Sequence, residues 1–173
     1  MPKPRTIPKK KDAAELWNYA LAALGRRALS AGEIRQRLQE KAADAADVDP
    51  TMAKLTEYGY LNDERFAESY AGARQSNQGL GRIRVLRDLR TRRVSAQTAE
   101  QAVEKVFGDK DELQLVQDYV ERKFRNKNLR EYLADPNHLA SAYRKLRYAG
   151  FGSAVCIRVL KRYSERADEI EDE

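Results

Sequence analysis

The chain has 173 residues, 42% hydrophobic and 35% charged, with a net charge of +6. This size allows one good core or a few small helical units. No apolar run approaches the roughly 18 residues that span a bilayer, and no apolar stretch follows the basic N-terminus as a secretory signal requires. The single cysteine excludes an internal disulfide and a cysteine metal cluster, and fits a reducing, cytoplasmic setting.

Residues 1–11 hold Lys3, Arg5, Lys9, Lys10 and Lys11 among Pro2, Pro4 and Pro8, and read as a disordered basic arm. Asp12 caps a first helix whose apolar stripe is Leu16, Trp17, Ala20, Leu21 and Leu24. The chain turns between Gly25 and Leu29. Ser30 and Glu33 then form a capping box for a second helix to about Lys41, with Ile34 and Leu38 inward. Ala42 to Val48 reads as a loop, and Asp49-Pro50 as the cap and first residue of a short third helix ending at Tyr58.

The run Gly59-Tyr60-Leu61-Asn62-Asp63-Glu64-Arg65-Phe66-Ala67 is the densest local signal. Gly59 suits the left-handed residue that closes a helix, Asn62 is an N-cap, and Leu61 and Phe66 have the spacing of a hydrophobic staple. Tyr60, Leu61 and Phe66 are expected to pack. The same grammar recurs at Leu29/Ile34, Leu80/Val85, Val94/Ala99 and Phe151/Cys156.

A fourth helix is expected from Asp63 to about Gln75, with Phe66, Ala67 and Tyr70 on one side. A fifth covers Gly81 to Arg93, with Ile83, Val85, Leu86 and Leu89 inward. Gly79-Leu80-Gly81 follows a helix rather than a strand and lacks a Gly-Lys-Ser/Thr ending, so it reads as a turn and not a phosphate loop. Ser95 caps a sixth helix burying Ala99, Val103 and Val106. A seventh runs from Asp111 to about Phe124 with Leu115, Val116 and Tyr119, and residues 125–133 form a polar connection. Asp135-Pro136 opens an eighth helix with Leu139, Tyr143 and Leu146. A ninth after Gly150-Phe151 carries Val155, Cys156, Val159 and Leu160, before an acidic, frayed tail.

No stretch alternates with a period of two, so no sheet is expected. Ser30/Ile34/Leu38, Gly81/Val85/Leu89 and Gly152/Cys156/Leu160 align as a quasi-repeat of unequal spacing. The expected fold is all-α, with about nine helices grouped in threes as the simplest organisation. The expected division is 1–11 basic arm, 12–61, 62–108 and 109–164 as three repeats, and 165–173 acidic tail.

The nonapeptide, followed by Tyr70, Arg74, Gly81, Ile83 and Leu89, and the closing Leu146, Gly150-Phe151, Ile157 and Leu160, resembles the bacterial regulatory protein family RecX. The resemblance runs from about Leu16 to Tyr163; Asn62 stands where aspartate is more usual. It implies a non-enzymatic modulator of RecA, built as tandem three-helix repeats that form an elongated curved body; a monomer is the default expectation, and the residues themselves offer no cofactor, catalytic or metal site. Such a protein lies in the groove of the RecA–DNA filament and inhibits ATP hydrolysis, strand exchange and the co-protease activity behind the SOS response. A weak direct contact to single- or double-stranded DNA is left open.

The positive charge of the body fits a polyanionic partner or an acidic protein surface, the alternative being a solvated helical surface slightly richer in arginine than in acid, because the two tails cancel and residues 12–164 carry the excess. The contact residues expected first are Arg74, Arg82, Arg84, Arg87, Arg90 and Arg93. Arg26, Arg27, Arg35, Arg144, Arg147 and Arg158 come second. Glu33 and Asp88 are expected to pair with some of them. The competing reading is a stand-alone helical DNA-binding or architectural protein, with salt-steep binding in the absence of RecA. An enzyme ranks third: no paired carboxylates, metal cluster or cofactor loop is visible, and His138 is the only histidine.

Overall fold

Local capping chemistry starts most helices where the sequence places them. The computed structural model describes residues 10–170. The expected arm at residues 1–9 lies outside them, and Lys10 and Lys11 are tied down. Lys10 Nζ donates to the Glu40 carbonyl at 3.0 Å, and Lys11 forms an isolated bridge with Ala42.

In α1 (Ala13–Arg26), Asp12 accepts from the Glu15 amide while Glu15 reaches back to the Asp12 amide. In α2 (Ala31–Lys41), Ser30 and Glu33 do the same. A 3-10 turn (Ala45–Asp47) leads into α3 (Val48–Glu57). That helix begins ahead of Asp49, which is therefore inside its first turn and does not cap it. Leu16, Ala20, Ile34, Leu38 and Leu55 are sealed from solvent and centre this first core.

The second core joins α4 (Asp63–Gln78), α5 (Arg82–Thr91) and α6 (Ala96–Phe107). Ala67 and Ala71 are the fully buried residues of α4, which packs chiefly on α6; small side chains permit a close approach. α4 runs past Gln75 to Gln78 because Gly79 closes it in the left-handed conformation. Ile83 does not face this core: it is 57% exposed.

The third core draws on α7 (Glu112–Lys123), α8 (Leu129–Tyr132), α9 (Pro136–Ala149), α10 (Ser153–Leu160) and a 3-10 segment (Glu165–Glu169). Two expectations are corrected here. The connection at 125–133 contains α8 and delivers Leu133 to the core, and the supposed frayed tail buries Ala167. The architecture is thus all-α with tandem three-helix units. Ten α-helices and no strand longer than the isolated bridge occur among the described residues.

The quasi-repeat marks real positions. Ile34, Leu38, Val85, Leu89, Cys156 and Leu160 are all fully buried behind N-caps Ser30, Gly81 and Gly152. α10 is nevertheless the last helix of its group, whereas α2 and α5 are the middle ones. The repeat therefore describes cap and buried stripe, not helix order.

Two joints connect the cores. At the first, Asp63 in the opening turn of α4 accepts from the Ala31 amide at 2.7 Å, so one carboxylate serves the N-termini of two helices. Ser30 Oγ donates to the Arg92 carbonyl, and Gly32 lies so close to Arg93 that a Cβ would come within 2.5 Å of its carbonyl oxygen. At the second, Leu80 and Leu115 pack against both neighbouring cores. There the α5 N-terminus faces the C-terminus of α9: Gly81 N–H donates to Ala149 C=O at 2.8 Å and Ile83 N–H to Gly150 C=O at 3.3 Å. The Gly79-Leu80-Gly81 turn is thus occupied by protein carbonyls.

Candidate partner-binding surface

A chain of alternating guanidinium, carboxylate and aromatic groups crosses all three units. Arg27 Nη2 lies 3.2 Å from Glu33 Oε1, and Arg92 Nη1 lies 3.0 Å from the same oxygen. Arg92 sits over Tyr70, 5.3 Å from the ring centre, and Arg74 is also 5.3 Å from that ring. Arg74 donates through Nε and Nη2 to Asp88 Oδ2 at 3.1 and 2.6 Å, and Arg84 Nε donates to Asp88 Oδ1 at 2.9 Å. Arg84 reaches the third unit, where it lies 4.3 Å over the Tyr148 ring and donates to the Tyr148 carbonyl at 3.2 Å. Arg87 stands 6.0 Å from the same ring.

The ladder holds more cations than anions. Its middle is neither fully buried nor freely solvated, with Arg74, Arg84 and Asp88 26%, 19% and 13% exposed, whereas Arg27 and Tyr148 at its ends are exposed. Contacts with Tyr148, then Asp88, hold the Arg84 guanidinium above its ordinary pKa. Burial opposes the charge on Arg92, but the hydrogen bond and charge of Glu33 outweigh it, so Arg92 also lies above its ordinary value. These groups are fixed cations at any physiological pH, with orientations set by shared carboxylates and ring faces.

Arg74, Arg84 and Arg27 belong to this ladder. Arg92, Tyr70 and Tyr148 were absent from the sequence-based contact set. The signal that could have found Arg92 was its place at the C-cap of the helix that carries Arg84 and Asp88; the tyrosines needed the tertiary structure. Arg82 and Arg90 turn toward α6, pairing with Glu104 and, at 3.3 Å, with Glu100. Arg35 pairs with Asp49, and Arg147 Nη1 donates to the Phe151 carbonyl at 2.8 Å. Arg87, Arg93, Arg26, Arg144 and Arg158 are exposed and have no carboxylate partner among the described residues. Arg93 is also the one non-glycine residue there with a positive φ, +61°.

Beside the first joint lies an open groove of about 1050 Å³, lined by Leu24, Leu61, Phe66 and Tyr70, with Arg65 and Arg92 as its only charged residues. Leu61 belongs to the first core, whereas Phe66 stacks on Tyr70 against the second. Tyr60 is not a core residue: it is half exposed and meets Trp17 edge-on.

Comparison with known proteins follows this division. The family model for the first three-helix domain of RecX matches residues 17–55, and the model for its second three-helix domain matches residues 62–103. A regulatory protein RecX of Syntrophotalea carbinolica is 31% identical over 144 residues, covering 82% of this chain and 91% of the relative. One from Deinococcus radiodurans is 29% identical over 165 residues, covering 95% and 76%. The crystal structure of RecX from Lactobacillus salivarius superposes with a TM-score of 0.62 at 18% identity, covering 91% of this chain and 97% of the other. A second crystal structure of a regulatory protein RecX gives 0.63 at 18% identity, with 85% and 72% covered.

Proposed function

Since the chain belongs to the RecX family of regulatory proteins, we propose that it binds RecA–DNA filaments and restrains them. On this reading it inhibits RecA ATP hydrolysis, strand exchange and co-protease activity, and so modulates recombination and the SOS response. It acts as a cytoplasmic monomer by occupying the filament rather than by catalysis. The observation that carries the reading is the ladder from Arg27 to Tyr148. A row of oriented cations from the first two units, anchored on Tyr148 of the third, suits a long polyanionic groove, where each contact raises the effective concentration of the next.

The six central arginines divide into three pairs with different roles. Arg74 and Arg84 hold the ladder together and present their remaining donors, whereas Arg87 and Arg93, which have no carboxylate partner, contact the filament directly. Arg82 and Arg90 contribute at its edge, after giving up their pairs with Glu104 and Glu100. DNA phosphate in the groove is a secondary partner.

The test is RecA ATPase on single-stranded DNA with increasing amounts of the purified protein. Hydrolysis falls as the protein approaches the concentration of filament sites. Unchanged hydrolysis at stoichiometric and higher protein contradicts the reading, and tight, salt-steep DNA binding without RecA would favour a stand-alone DNA-binding protein instead.

A further inference from the structure

A second, smaller hollow lies on the first unit, apart from the groove at the joint. It measures about 250 Å³ and is lined by Tyr19, Ala22, Ala23, Arg26, Arg27 and Arg37. Tyr19, Ala22, Ala23 and Arg26 follow helical i, i+3, i+4, i+7 spacing along one face of α1. Arg37 comes from α2, and Arg27 from the residue that ends α1. The two alanines keep the floor open. Three arginines, two on helices and one at the C-cap of α1, therefore line one small hollow, and no acidic residue lines it.

Their charge is not balanced by carboxylates among the described residues. Arg27 pairs with Glu33, but Glu33 is shared with Arg92 in the ladder. Arg26 and Arg37 have no carboxylate partner among the described residues. Like charges around a common hollow repel unless an anion sits between them. The C-terminal end of α1 opposes an anion with roughly half a negative charge, which is small beside three guanidiniums offset by one shared carboxylate.

We propose that this hollow is a phosphate-binding site. Guanidinium forks match phosphate oxygens in pairs of hydrogen bonds. A tetrahedral phosphate offers enough oxygens to engage three guanidiniums from different directions, whereas a carboxylate is saturated by one or two. The phosphate comes either from a nucleic-acid strand or from a free phosphate compound such as a nucleotide. The site does not depend on RecA being the partner, and its test contains no RecA.

The experiment titrates the ¹⁵N-labelled full chain at constant ionic strength with inorganic phosphate, with ADP, with a short single-stranded oligonucleotide and with a glutamate-rich peptide. Phosphate produces a saturable shift confined to the amides around Ala22–Arg27 and to the Arg26, Arg27 and Arg37 side chains. Arg26→Gln and Arg37→Gln each weaken binding by about tenfold, the loss of one charge-assisted hydrogen bond, while circular dichroism stays unchanged. Arg130→Gln, an exposed arginine elsewhere, leaves binding unaltered. Tighter binding of the oligonucleotide than of phosphate or ADP identifies a strand as the source; similar binding of all three identifies a free phosphate group. Either result supports the site. Absence of a saturable shift there, equal loss in the Arg130 variant, or stronger competition by the glutamate peptide than by phosphate overturns it.

Discussion

Gly81 donates its amide proton to the carbonyl of Ala149 at 2.8 Å, across the joint between the second and third units. The positive end of α5 thereby meets the negative end of α9, and both glycines at the contact are sterically required. A Cβ on Gly81 would stand 2.5 Å from the Gly150 oxygen. Gly150 has φ +94°, and a Cβ there would run into the Arg84 backbone. Gly150→Ala is expected to destabilise the protein by about 1–3 kcal/mol through overpacking and left-handed strain. Urea unfolding followed by circular dichroism measures this, and hydrogen exchange should show protection lost first at the joint.

Asp88 is the hinge pin of the arginine ladder, since it binds both Arg74 and Arg84. Asp88→Asn leaves two guanidiniums facing a neutral amide. The expected loss is about 1–3 kcal/mol, below that for a fully buried pair because the site is partly wet. Filament affinity should fall with it, because the orientation of both cations is lost. Thermal unfolding and a binding titration on one preparation check both effects.

Charge reversal separates the exposed from the engaged arginines. Arg87→Glu should leave stability unchanged and weaken filament binding by about tenfold. Arg84→Glu should damage both, because Arg84 serves Asp88 and Tyr148 at once. Arg93→Gly should raise stability by about 0.5–1 kcal/mol, as glycine accepts φ +61° without strain, yet weaken binding. Paired melting and binding curves for the three variants decide the matter.

Acid should loosen α9 first at its N-terminus. Asp135 accepts from the Asn137 and His138 amides at 2.7 and 3.3 Å, and these bonds hold its carboxyl below the ordinary range. A depressed folded-state value means that the cap contributes fully above the unfolded carboxylate pKa. Its contribution is lost as pH falls through the lower, folded value. Amide protection at Asn137 and His138, taken relative to the intrinsic exchange rate at each pH, should fall in that window, and Asp135→Ala should remove the pH dependence.

Much of the fold was legible because caps and stripes are local. Asp12, Ser30, Asn62, Ser95, Asp111 and Asp135 all cap through their side chains, and each needs only its following turn to be recognised. Leu133 and Ala167 were missed because their segments are too short and polar to show a sustained period, although Leu129, Tyr132 and Leu133 have helical i, i+3, i+4 spacing. Ile83 was misplaced because it lies about 200° around the helix from Val85. Phe66 is only partly buried, so Phe66→Ala should cost less than the 3–5 kcal/mol typical of a core phenylalanine. The pairing of Glu33 and Asp88 with arginines was readable from charge. The ladder was not, because Arg92 meets Glu33, and Arg84 meets Tyr148, only once separate units are docked.

The most direct measurement is co-sedimentation of the protein with RecA filaments assembled on single-stranded DNA, with and without nucleotide, beside an Arg87→Glu/Arg93→Glu double variant. The account predicts that the unaltered chain pellets saturably with nucleotide-bound filaments and that the folded double variant stays largely in the supernatant. Equal pelleting of the two proteins, or no pelleting of either, would contradict it.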